Sequence, residues 1–129
     1  MPIVRIEETT RRDARQKQAV IATVFNSLRQ VLGVSDEELQ ARYQQYQPED
    51  FVAPGGMADY LHIEIVMFKG RTLASKKKLY RHLVDSLVTL LDISPAAIVI
   101  LLREYEADNW GMRGGTVASE IDFGYRISV

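Results

Sequence analysis

Apolar positions along this chain repeat at two distances, a short one that marks elements and a long one that marks units. Residues Ile3-Val4-Arg5-Ile6 form an apolar run of strand length, and about 2 to 7 are predicted as a first strand. Val20, Val24, Phe25, Leu28, Val31 and Leu32 then fall on one helical face, which predicts a helix over about 11 to 32. Thr10 is the expected N-cap, with Asp13 in the first turn, and Gly33 ends the helix. Residues 41 to 47 are a polar second strand. Pro48, Pro54, Gly55 and Gly56 mark a link over 48 to 59.

The same order then recurs at an offset of 59 residues. Ile3-Val4-Arg5-Ile6 falls on His62-Ile63-Glu64-Ile65, and the six apolar helix positions fall on Leu79, Leu83, Val84, Leu87, Leu90 and Leu91. Gly33-Val34-Ser35 falls on Asp92-Ile93-Ser94. The second unit predicts a strand over 60 to 67, a helix over about 73 to 91 capped by Thr72, and a buried strand over 97 to 102. The tail, about 123 to 128, alternates and is expected as an edge or inter-subunit strand.

Two tandem βαβ units, about 2–47 and 60–103, predict one α+β domain over residues 1–129. Its four-stranded mixed sheet carries both helices on one face. Two helices cover one face of such a sheet, so another subunit is the expected cover of the other, in a cyclic oligomer.

Composition narrows the function without naming it. The chain is 47% hydrophobic and 26% charged, with net charge -1. That balance offers no electrostatic case for nucleic acid or an anionic membrane. No apolar run reaches the length of a membrane span. No signal peptide is predicted, since Arg5 interrupts the first apolar run and charges crowd residues 5 to 17. Cysteine is absent, and His62 and His82 lie far apart, so neither a metal site nor a cofactor is expected. The expectation is a cytoplasmic protein without cofactor.

Candidate chemistry begins at Pro2. If Met1 is removed, the chain starts with a secondary amine at the head of a strand, a position that tolerates proline. Burial and nearby cations hold such an amine neutral and fit it to act as a base. Arg71 is the strongest candidate partner, because a cation at a helix N-terminus opposes the helix dipole and so has little structural motive. Trp110, among Gly111, Gly114 and Gly115, suits a pocket wall, and Met112 adds apolar surface. Lys69, Arg42 and Arg113 are further candidate cations. The segment Ser35-Asp36-Glu37-Glu38 reads as a capping box.

With the amino-terminal proline and the tandem βαβ repeat, Gly70-Arg71-Thr72 and Asn109-Trp110-Gly111-Met112-Arg113-Gly114-Gly115 resemble the tautomerase superfamily. That is the group around 4-oxalocrotonate tautomerase and malonate semialdehyde decarboxylase. Chain length and Ala107-Asp108-Asn109-Trp110 resemble its decarboxylase branch in particular. The resemblance spans nearly the whole chain. It implies a homotrimer without cofactor, Pro2 as base, Arg71 as the binder of a substrate carboxylate, and Trp110 lining the pocket. It places Glu38, or with a gap Asp36 or Glu37, where the decarboxylase carries an aspartate, and Lys69 and Arg71 where it carries paired arginines. Lysine does not reproduce bidentate carboxylate binding. The expected activity is therefore tautomerisation of a small 2-keto or enol acid. A decarboxylase- or hydratase-like enzyme using protonated Pro2, and a non-catalytic trimeric binding protein, are the alternatives.

Overall fold

The computed structural model describes residues 2–127. Met1, whose removal the base role of Pro2 requires, lies outside them, as do Ser128 and Val129.

The first unit comprises β1 (Ile3–Glu8), α1 (Ala14–Leu32) and β2 (Gln40–Gln45). The second comprises β3 (Leu61–Phe68), α2 (Leu73–Leu91) and β4 (Ile98–Tyr105). α1 starts later than the sequence pattern suggests. Its N-cap is Asp13, not Thr10: the Asp13 side chain accepts from the Gln16 N–H and the Gln16 side chain accepts from the Asp13 N–H, both at 2.8 Å. This reciprocal pair satisfies two backbone donors that an earlier start would leave unpaired. Gly33 ends the helix with φ +69°, and its repeat mate Asp92 ends α2 in the same left-handed conformation at φ +53°. Thr72 caps α2 as expected.

The strands form one mixed sheet in the order β2-β1-β3-β4. β1 runs parallel to β2 and antiparallel to β3, and β3 runs parallel to β4. Alternation divides the sheet. Val4, Ile6, Ile63, Ile65 and Met67 face the helices and are buried against Val20, Val24, Leu28, Leu79, Leu83 and Leu87. Ile3, Arg5, Glu7, His62, Glu64, Val66, Leu101, Arg103 and Tyr105 alternate with the core positions and lie on the helix-free face.

The repeat reaches past the expected unit boundary. A 3₁₀ turn at Pro48–Asp50 follows β2, and its mate at Ala107–Asn109 follows β4. Tyr46 thereby matches Tyr105, and Phe51 matches Trp110.

The tail departs from expectation. No strand forms over 123–127. Gly124 takes φ +76° and its N–H is held by the Asp122 side chain at 2.9 Å, a local turn that breaks extension. Phe123 and Ile127 pack on a second small core of Phe68, Met112 and Ala118. That core is closed by the hairpin of β5 (Gly111–Met112) and β6 (Thr116–Val117). Among the described residues no helix is long and apolar enough to cross a membrane.

Candidate active site

Strand direction gathers the candidate residues. Ile3 pairs with Gln40 and with Val66, and Phe68 with Tyr105. The starts of β1 and β2 and the ends of β3 and β4 therefore share one end of the sheet. Pro2, Glu38, Arg71 and Trp110 lie within a few residues of those strand ends.

A cleft of about 530 Å³ opens there, lined by Ile3, Glu37, Glu38, Gln40, Trp110, Gly111, Met112 and Arg113. A hollow of about 410 Å³ shares Ile3 and Trp110 with it and adds Val66, Tyr105 and Asn109. Pro2 is buried and precedes Ile3, one of the two residues common to both spaces.

Arg71 precedes the cap of α2 and is 6% exposed. Its Nη1 donates to the Phe68 carbonyl at 3.2 Å, and its guanidinium also meets the Tyr125 hydroxyl. Its Nε has no hydrogen-bond partner among the described residues. Burial pulls its proton affinity down from the ordinary arginine value, while Tyr125 and Glu104 pull it back up. A guanidinium stays charged under such shifts. Burial likewise raises the Tyr125 phenol, against the opposing pull of Arg71.

Glu38 is 5% exposed and accepts from Arg113 Nη2 at 3.0 Å. The expected capping box is absent: Ser35 precedes the 3₁₀ turn Asp36–Glu38 without a side-chain cap bond. The repeat shows what the fold itself needs at this place. The mate of Glu38 is Ala97, buried in the equivalent turn. A small apolar residue therefore satisfies the turn itself, and the carboxylate at Glu38 serves a contact beyond it, the pair with Arg113. Arg113 stands at the tip of the β5–β6 hairpin with φ +50°, beside Gly114 and Gly115, and its guanidinium lies 5.4 Å from the Phe123 ring.

Trp110 meets Phe68 edge to face at 5.1 Å, and its buried indole N–H has no partner among the described residues. Met112 lines the cleft from the small core. Arg71 lines neither space and is packed behind them, and Lys69 and Arg42 are not brought into the cleft either. Lys69 Nζ turns to Glu106 at 3.2 Å, an exposed surface pair. Arg42 is exposed and donates to Gln40 Oε1 at 2.9 Å, so it reaches the cleft only through Gln40. Gln40 and Tyr125 belong to the site and escaped sequence reasoning. The alternation of the tail predicted a strand and did not single out Tyr125. Among the described residues no group of three His, Asp or Glu side chains is placed to hold a metal ion.

The repeat also supplies an internal comparison for Arg71. Its mate Arg12 precedes the cap of α1 in the same way, and Arg12 Nε binds Glu8 Oε2 at 2.9 Å. The mate of Glu8 is Met67. In one unit the Nε holds a buried carboxylate; in the other the same atom has no partner among the described residues.

A family model described as "Tautomerase enzyme" matches residues 40–113, more than half of the chain. The chain belongs to the tautomerase enzyme family. The matched segment carries β2, β3, α2, β4, Arg71, Trp110 and Arg113. Solved structures agree with this tautomerase fold. FG41 malonate semialdehyde decarboxylase, inhibited by 3-bromopropiolate, superposes with TM-score 0.78 at 21% identity, over 89% of this chain and 92% of its own. A wild-type fused 4-OT, solved as a symmetric trimer, gives 0.82 at 21%, over 91% and 98%. A second malonate semialdehyde decarboxylase, studied for its decarboxylase and hydratase activities, gives 0.76 at 18%, over 87% and 92%. At these identities the likeness is one of fold.

Proposed function

We propose that this tautomerase-family chain is a cofactor-independent enzyme that moves a proton within a small 2-keto or enol carboxylic acid. The observation that carries the reading is the buried Arg71 Nε, which has no partner among the described residues, set against Arg12 Nε on a carboxylate. A buried cationic donor left unpaired is costly, and a substrate carboxylate supplies the missing acceptor by a charge-assisted bond.

Removal of Met1 exposes the Pro2 nitrogen as a secondary amine beside Ile3 at the cleft. Burial disfavours the charged form of such an amine, as does any nearby cation, which fits it to act as a base. It takes a proton from carbon or hydroxyl and returns it at another position. Trp110 and Met112 give the reacting acid an apolar wall. The helix-free sheet face, where Leu101 and Tyr105 remain 42% and 43% exposed, is the surface on which three copies assemble.

Phenylpyruvate and 2-hydroxymuconate are suitable probe substrates. Pro2→Ala should lose most of the tautomerase rate in protein shown by mass to lack Met1. A wild-type rate in that variant defeats the mechanism.

One observation favours a second reading. Glu38 is a nearly buried carboxylate on the cleft at a place where the repeat is content with alanine. It suits a decarboxylase- or hydratase-like reaction in which protonated Pro2 polarises a carbonyl and Glu38 assists. The pKa of the Pro2 amine separates the two: well below neutral for the base, well above it for the cation.

A further inference from the structure

The opposite end of the sheet repeats the frame of the cleft. Under the repeat offset Arg12 stands for Arg71, Tyr46 for Tyr105 and Phe51 for Trp110. In the other direction Leu61 stands for Pro2 and Ala97 for Glu38. The strands bring the first set to Leu61: Glu8 pairs with Leu61, and the Tyr46 N–H donates to the Glu8 carbonyl at 2.8 Å. Phe51 lies 5.5 Å from the Tyr46 ring. The arginine before the helix and the aromatic residue after the second strand are thus kept. The two positions that would handle protons are apolar, and both are buried.

What differs most is the anion. The Glu8 side chain is fully buried and its Oε2 sits on Arg12 Nε, while Oε1 has no hydrogen-bond partner among the described residues. Its mate Met67 occupies the same kind of core position, 1% exposed, with no charge at all. Nothing in the packing therefore calls for a carboxylate at Glu8. Its one strong contact is with the arginine whose mate in the other unit has an Nε without a partner among the described residues.

We propose that this end of the sheet is a second site for one small carboxylate, built on Arg12 and filled by the chain's own Glu8. Glu8 acts as a tethered ligand. It holds Arg12 in a neutral pair and leaves one end of each chain open to an external acid. With leucine and alanine in place of Pro2 and Glu38, the second site binds without catalysing.

The test counts bound anions by isothermal titration with pyruvate in chloride-free buffer. Glu8→Met, which installs the residue of the other unit, should bind one more pyruvate per chain than the wild type. Adding Arg12→Gln should remove that extra site. Glu8→Gln, closer in shape, decides the matter if the methionine variant does not fold. An unchanged count in folded Glu8→Met or Glu8→Gln overturns the proposal. So does loss of folding in both that added acetate does not reverse. The proposal is independent of the reaction at the cleft. If wild type binds no pyruvate, the assignment of Arg71 fails, and an Arg12-dependent site in the variant still stands.

Discussion

Arg71 and Arg12 form a matched pair of perturbations, because they occupy equivalent places and differ in their partner. Arg71→Met removes a guanidinium that is 6% exposed, with one bond to the Phe68 carbonyl, one contact to Tyr125 and an unpaired Nε. The two bonds are made by a charged donor and are worth about 1.5–3 kcal/mol each, while relieving a buried unpaired donor returns about 1–3 kcal/mol. The net loss of stability should be about 2–3 kcal/mol. Arg12→Met strands the fully buried Glu8 carboxylate, and breaking a buried pair from one side costs about 3–5 kcal/mol. Activity should move in the opposite sense. A charge-assisted bond from Nε to a substrate carboxylate contributes about 1.5–3 kcal/mol, so Arg71→Met should lower kcat/KM by about 10- to 150-fold. Arg12→Met, assayed below its unfolding range, should leave kcat/KM close to wild type. Urea melts and steady-state rates on phenylpyruvate provide the two readouts. Equal destabilisation of the two variants, or equal loss of activity, would refute the contrast drawn between a filled and an open arginine.

Two further outcomes follow from the same geometry. Burial raises the Glu8 carboxyl above its ordinary 4.5, against the opposing pull of Arg12. The folded chain then holds that proton more tightly than the unfolded chain. Its contribution to stability is full below about pH 4.5 and is lost as pH rises through the folded value. Urea midpoints across that window should therefore fall less steeply in Glu8→Gln than in wild type, and a parallel fall contradicts the assignment. Glu38 and Arg113 should show a coupling of about 1 kcal/mol in a double-mutant cycle of Glu38→Gln and Arg113→Ala, because the arginine is half exposed and screened. A coupling indistinguishable from zero means the pair does not hold the hairpin to the cleft.

The framework was legible because apolar period and offset reinforce each other. Val20, Val24 and Leu28 predicted Leu79, Leu83 and Leu87, and all six are fully buried. Arg71 and Trp110 were found from their surroundings of glycine and helix start. What escaped depended on contacts far apart in sequence. Glu38 resembled a local cap because nothing nearby reveals Arg113, which stands 75 residues on. Lys69 and Arg42 carried the right charge, but Glu106 and Gln40 offered them nearer partners. The cap moved from Thr10 to Asp13 because the glutamine that completes it is itself a helix residue. The tail alternates like a strand, yet Gly124 turns it and the ring of Phe68 gives Phe123 something better to bury against.

Trp110 is the only tryptophan in the chain, and it stands on the wall shared by both spaces at the Pro2 end of the sheet. All indole emission of each subunit thus originates at the cleft. Its quenching or shift on mixing reports occupancy directly, without a label and on the timescale of a single turnover. An unpaired indole N–H makes that emission sensitive to any acceptor that arrives. The protein carries its own optical gauge of what enters, and the substrate can be sought by light before any product is known.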